Sequence, residues 1–304
     1  MITILGPTAS GKTAFAAHLA YALDGEVISA DSRQVYRGMS IGTGKDLLEY
    51  TVNGKPVPYH LIDIADPGYE YNIYQYQQDF LIAYHDITSR GKRPILCGGS
   101  GMYLESVLKK YRLGKINTSV ETLESLSQKT DMELKDLLLS RKSQHNTTDL
   151  LDRQRMIRAI LISMTWDENA GEIIFPEHMT SYIFGIHWER ALLRERITDR
   201  LKTRLDHGLI EEVKELLNKG LTTEQLKFYG LEYRYITLYI ENKLDYNEMF
   251  RLLNIAIHQF VKRQMTWFRK MERSGLMIHW IEGTMTMDEK IVEALKVLNI
   301  KKEG

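Results

Sequence analysis

A chain that opens MITIL and runs straight into GPTASGKT, residues 6–13, has few folds open to it. The spacing G-x-x-x-x-G-K-T belongs to a loop that wraps backbone N–H groups around phosphate oxygens. Such a loop needs a buried strand in front and a helix behind, because the strand anchors the turn and the helix N-terminus adds positive potential. Both are legible: residues 1–5 are apolar, and the apolar spacing from Lys12 to Leu23 is that of a helix. Gly6, Pro7, Thr8, Ala9, Ser10, Gly11, Lys12 and Thr13 are therefore the expected phosphate-binding residues. Lys12 brings a full charge and Thr13 a hydroxyl suited to Mg²⁺, while Thr8 and Ser10 offer further hydrogen bonds. The loop predicts that a phosphate compound binds, but not which one.

Strand and helix signals then alternate. EVISADS (26–32), VPYHLIDI (57–64) and KRPILC (92–97) read as extended segments. NIYQYQQDFLIAYHDITSRG (72–91) reads as a helix closed by Gly91, and GGSGMYLESVL (98–108) as a glycine turn and helix. That alternation predicts a parallel sheet covered by helices. The texture changes near Tyr111: residues 115–150 are rich in Ser, Thr, Lys and Glu and carry no clear strand. SYIFGIHW (181–188) returns to an extended pattern, and from Glu189 the chain reads as mostly helical, with a long amphipathic stretch over 245–273. The expectation is an α/β, P-loop NTPase-like parallel-sheet core with a helical insertion and a helical C-terminal region. The core takes residues 1–112 and 180–304, and the insertion 113–179.

Charge decides little, since 40 basic and 40 acidic residues leave the chain formally neutral, and a local basic patch suffices for RNA. The single cysteine, Cys97, excludes an intrachain disulfide framework and a four-cysteine zinc site. His258 and His279 stand without cysteine partners and are not read as metal ligands. With no charged-then-apolar leader and no long apolar run, the expectation is a soluble cytoplasmic protein without membrane contact.

Asp31 follows a presumed strand, where an acid can face the phosphate loop, and that position favours a site over the plainer reading, a cap for a helix starting at Ser32. A kinase would need such an acid to organise metal, and arginines over the transferred group. At this point GPTASGKT, ISADSRQVYRGMSIGTGK (28–45), YHLIDI, GGSGMY (98–103) and KRQMTWFR (262–269) resemble, in order, the tRNA dimethylallyltransferases, the isopentenyltransferases that modify adenosine 37. The resemblance implies that the loop holds a diphosphate leaving group, with Mg²⁺ beside it and dimethylallyl diphosphate as co-substrate. An ATP-binding label follows the loop motif without implying ATP use. It implies catalytic roles for Asp31 as general base, for Lys12 and Thr8 at the diphosphate, and for Lys227. It also implies that the tRNA anticodon stem-loop meets Asp31, Ser32, Arg33 and Gln34, then Ser100, then Gln154, Arg155, Met156, Ile157 and Arg158. The protein is expected to be a monomer with no obligate protein partner.

Some segments depart from the family pattern. Ser100 stands where the family has Thr, and could also cap the following helix. Leu161 stands where an acid is expected, and the D-P-x-x-A-x-R-I segment is absent between Met132 and Asp152. In KFYGLEYR (227–234) Lys227 replaces an arginine expected to approach the diphosphate, keeping the charge but losing the two-pronged fork. A catalytically impaired tRNA-binding paralogue and a P-loop small-molecule kinase therefore stay open as alternatives.

Overall fold

The structure, a computed structural model, describes residues 1–113, 120–141, 150, 152–165 and 173–300. The first strand, β1 (Ile2–Leu5), is wholly buried and flows through the glycine loop into α1 (Lys12–Ala22). β2 (Gly25–Ser29) follows. A short antiparallel hairpin, β3 (Thr51–Val52) with β4 (Lys55–Pro56), stands apart from the main sheet. β5 (Tyr59–His60), β6 (Arg93–Gly98), β7 (Tyr182–His187) and β8 (Ile278–Glu282) complete a six-stranded parallel sheet in the order β5-β2-β6-β1-β7-β8. β1 is central, and the chain leaves it towards β6 on one side and β7 on the other. In open α/β sheets that reversal point is where ligands bind, at the carboxyl ends of the strands.

Ile2 and Ile4 of β1 bury against Phe15 and Leu19 of α1, Val27, Ile95 and Phe184 of neighbouring strands, and Ile291 and Ala294 of the last helix. Outside that cluster, α2 (Ile73–Ser89) and α3 (Gly101–Leu108) pack on β6. α2 starts with a capping box from Asn72 to Gln75 and ends before Gly91, whose φ of +71° turns the chain back.

α4 (Val120–Gln128), α5 (Asp131–Arg141) and α6 (Arg153–Thr165) belong to a separate compact unit, Tyr111–Pro176, the other unit being Met1–Lys110 with Glu177–Gly304. It has its own small core of Leu126, Leu134, Leu138, Met156 and Ile160. Residues 142–149 and 151, part of the stretch that lacks the family segment, lie outside the described residues.

Five helices follow β7: α7 (Arg190–Asp206), α8 (Leu209–Asn218), α9 (Thr223–Phe228), α10 (Leu231–Ile240) and α11 (Tyr246–Arg273). They bury Leu193, Leu201, Val213, Leu226, Tyr233 and Leu253 in one cluster with Val35, Tyr36 and Met39 from the loop after β2. A helical layer is thereby fixed against the functional end of the sheet. α12 (Met287–Val297) returns to α1.

The fold follows the expected α/β plan, with two local differences. The extended reading of 57–64 survives only as Tyr59–His60, because Leu61 (φ +62°) and Asp63 (φ +57°) turn the backbone left-handed. β8 lies inside the stretch expected to be helical. Its five residues gain their strand form from pairing with β7, in a register that sets Gly185 opposite Trp280. A Cβ on Gly185 would lie 2.4 Å from that indole, so the glycine makes room for the ring.

Candidate active site

The phosphate loop is built as its sequence requires. Ala9 (φ +61°) and Gly11 (φ +81°) adopt left-handed backbone, which turns successive N–H groups into a concave nest. Gly6 is obligatory for a different reason: a Cβ there would sit 2.6 Å from Ser10 Oγ. Ser10, read as a phosphate donor, is buried with its hydroxyl over Gly6, so it shapes the loop from within. Other elements hold the loop from outside. Gln264 on α11 accepts from the Thr8 N–H (3.0 Å) and donates to the Gly99 carbonyl (2.9 Å), stapling the loop to the turn after β6. The Trp188 indole donates to the Ser10 carbonyl and Arg196 Nε to the Ala9 carbonyl, both at 3.0 Å.

Above the strand ends lies a cavity of about 540 Å³. Thr8, Lys12 and Thr13 line it from the loop, Asp31 to Gln34 from the segment after β2, and Ser100 from the turn after β6. α7, α10 and α11 contribute Arg200 and Arg204, Glu232 and Arg234, and Phe260, Arg263 and Trp267. Lys12 Nζ donates to the Pro7 carbonyl at 3.3 Å. Burial pulls its ammonium below the ordinary lysine value; Asp31 and Glu49 oppose that pull and Arg200 adds to it. A second cavity of about 370 Å³ is lined by Ala9, Gly11, Lys12 and Thr13 with Asp46, Glu49 and Arg200. Gly6, Pro7 and Ser10 support the loop without lining either cavity.

Asp31 caps no helix. Residues 32–35 form turns, and Asp31 Oδ1 accepts the Arg33 N–H at 2.9 Å, a local turn that fixes the carboxylate on the cavity wall. Ser100 precedes α3 but makes no cap hydrogen bond; its Oγ accepts the Ser32 N–H at 3.0 Å, joining the two loops. Gln34 differs from its reading as a base-contacting side chain. It is buried, its amide oxygen accepts from Ser29 Oγ (3.1 Å), and its Nε2 donates to the Gly44 carbonyl (2.9 Å). Arg33 lies over the Phe228 ring, 5.3 Å from its centroid.

Lys227 also lines the cavity, but its Nζ is engaged by Glu241 at 3.0 Å and by Glu224 at 3.7 Å. The charge expected at the diphosphate is thus paired with carboxylates of its own surroundings. The arginines lie elsewhere. Arg196, Arg200 and Arg204 recur every fourth residue along α7 and so share one face. Arg200 Nη1 donates to Thr8 Oγ1 at 3.1 Å and pairs with Asp46. Arg204 pairs with Glu232 at 3.5 Å. The four-residue spacing was visible in RITDRLKTR; its direction towards the loop was not. Gln264, inside the basic KRQMTWFR segment, was missed for the same reason.

The other expected RNA contacts belong to the insertion unit. Gln154, Arg155 and Arg158 are exposed on α6. Met156 is a correction: it is buried in that unit's core and does not present itself to a ligand, while Ile157 is partly buried against the same cluster. Phe268 is buried, and Trp267 lies over Gly101 on the cavity wall. Among the described residues no group of three or more His, Cys, Asp and Glu is placed to hold a metal ion, and no helix is long and apolar enough to cross a membrane.

A parallel α/β sheet whose central strand feeds a phosphate loop, opening on a cavity with a carboxylate on another wall, defines a P-loop enzyme core. The family model described as IPP transferase matches residues 34–271, and that described as isopentenyl transferase matches residues 1–54. The chain is 55% identical over 299 residues to tRNA dimethylallyltransferase 1 of Parabacteroides distasonis, covering 98% of this chain and 97% of the relative. It is 53% identical over 301 residues to tRNA dimethylallyltransferase 2 of Phocaeicola vulgatus, covering 99% and 98%. Among solved structures, the full-length tRNA isopentenylpyrophosphate transferase of Bacillus halodurans superposes with a TM-score of 0.70 at 29% identity, covering 98% of this chain and 95% of that one. The chain belongs to the tRNA dimethylallyltransferase (IPP transferase) family, as the motif order implied.

Proposed function

We propose that this enzyme transfers a dimethylallyl group from dimethylallyl diphosphate to N6 of adenosine 37 in tRNA. One observation carries the mechanism: Lys12, Thr8 and Arg200 line the same cavity as Asp31. An exocyclic adenine amine is a weak nucleophile, so it must be aligned with C1 of the allylic chain and lose a proton as it attacks. The Asp31 carboxylate accepts a hydrogen bond from N6 and takes that proton. The C1–O bond breaks as the C1–N6 bond forms, and the electron pair leaves with the diphosphate. Lys12, the Thr8 hydroxyl, Arg200 and the N–H groups of the loop stabilise the growing charge on that leaving group.

Mg²⁺ fits the donors present. Thr13 offers a hard oxygen beside Lys12, and with no all-protein metal cluster among the described residues, diphosphate oxygens and water would complete the shell. When bound, the ion neutralises part of the diphosphate charge, and Thr13 is the residue that would hold it. The acceptor is the anticodon stem-loop: Ser32, Arg33 and Ser100 line the cavity, and Arg155 and Arg158 supply exposed charge on α6.

Incubating the protein with labelled dimethylallyl diphosphate, Mg²⁺ and unmodified tRNA should place label on N6 of adenosine 37, read by nucleoside analysis. Absence of labelled nucleoside under single-turnover conditions would overturn the assignment.

A further inference from the structure

The three arginines on this face of α7, Arg196, Arg200 and Arg204, are unequally satisfied. Arg196 donates to the loop backbone and stacks on Trp188 at 4.2 Å. Arg200 bonds Thr8 and pairs with Asp46. Among the described residues Arg204 pairs with Glu232 alone, at 3.5 Å; its side chain is 12% exposed, and its Nε is buried without a hydrogen-bond partner. A guanidinium carries five donors and always holds its charge. Leaving the Nε–H unmatched in a buried place is costly, unless an anion completes the site.

Room has been made for this crowding. Gly44 has φ +62°, and a Cβ there would lie 1.6 Å from Arg204 Nη2 and 2.8 Å from Arg200 Nη2. Two like charges are thus brought together against a bare backbone, on the wall of the cavity that Lys12 enters. Thr8, Arg200, Arg204 and Glu232 also share a small adjoining void. Among the described residues Glu232 is the only carboxylate ion-paired to Arg204, and burial pushes its carboxyl above the ordinary glutamate value despite that pairing.

We propose that Arg204 is a diphosphate-binding residue: with Arg200 it grips the leaving group from α7, and Glu232 holds its guanidinium until the diphosphate arrives. This supplies the forked arginine contact that Lys227, engaged by Glu241, does not make. The inference rests on the diphosphate reading of the cavity and deepens it.

The test is titration of the full chain with inorganic pyrophosphate and Mg²⁺, alongside single-turnover transfer at varied dimethylallyl diphosphate. Arg204→Lys keeps charge and length but loses the fork. It should raise the Kd for pyrophosphate and the KM for dimethylallyl diphosphate about tenfold, with tRNA affinity unchanged. Arg204→Met should raise both further. Glu232→Gln should bind pyrophosphate as tightly as the parent or more tightly, because the competing carboxylate charge is gone. A purely structural ion pair predicts otherwise: melting temperatures fall in all three variants while the Kd for pyrophosphate stays put, and that result overturns the proposal. So does a loss of affinity in Lys227→Met that Arg204→Lys does not share. Lys12→Ala separates the two levels. If the parent and Lys12→Ala bind pyrophosphate alike and neither transfers label, the diphosphate reading itself falls. If Lys12→Ala loses affinity and the Arg204 variants keep it, only this inference falls.

Discussion

Asp31 stands just past the end of β2, held by the N–H of Arg33 on the wall of the cavity that Lys12 also lines. If it takes the N6 proton as proposed, it acts at the moment of bond formation, so Asp31→Asn should lower single-turnover transfer by about 10²–10⁴-fold while leaving tRNA affinity near that of the parent. A variant that transfers at the parental rate would remove Asp31 from proton transfer. Gly44 is a second single-residue control point. Gly44→Ala puts a side chain into left-handed backbone, at about 1–2 kcal/mol, and into the space of two guanidinium groups. Thermal melting should show the strain, and pyrophosphate affinity should fall with it because both arginines must move.

At the scale of elements, Glu212 of α8 holds the glycine-bearing loop in place. One carboxylate oxygen accepts from the N–H groups of Ser40 (2.8 Å) and Ile41 (2.7 Å), and the other from the Gly42 N–H (2.9 Å) and Tyr233 hydroxyl (2.7 Å). A carboxylate can accept on both oxygens, and a carboxamide on only one. Glu212→Gln should therefore strand at least one buried donor and cost about 1–3 kcal/mol in urea unfolding. The exposed face of α6 makes a different kind of contribution. If Arg155 and Arg158 each neutralise a phosphate, replacing either with Ala should reduce the slope of log affinity for tRNA against log salt by about 0.7–0.9. An unchanged slope would place that arginine outside the RNA contact.

For the whole molecule, the sheet's lower edge carries an acid-sensitive tie. Glu26 of β2 is gripped by Arg90, after α2, and by His60 of β5 at 2.7 Å. The Arg90 hydrogen bond dominates and holds the Glu26 carboxyl down at about 2, below the 4.5 of a free glutamate. The carboxylate form is the one favoured by folding. The stability it contributes is present in full above about 4.5 and is lost as pH falls towards about 2. Glu26→Gln should thus lower stability at neutral pH and flatten its decline through that acid window, as read by urea unfolding at a series of pH values. An unaltered acid limb would show that the tie contributes nothing to folding.

Much of this is legible in the sequence, because some signals are local. A nest of N–H groups needs glycine and a following lysine at fixed spacing, so residues 6–13 announced the loop, its strand and its helix. The strand–helix alternation carried the parallel sheet, and the order of five motifs carried the family. What the sequence could not determine was direction and partnership across distance. Lys227 reads in the sequence as a charge for the diphosphate, and only folding sets Glu241, fourteen residues on, beside it. Gln34 looked like a reader of bases, and folding turned its amide onto Ser29 and Gly44. β8 has too few residues to declare itself and becomes a strand only because β7 supplies its hydrogen-bond partners. The arginine face of α7 was periodic on paper, yet a periodic face names no neighbour. Only tertiary packing, which closes α7 over a loop almost two hundred residues earlier, turned it towards Thr8.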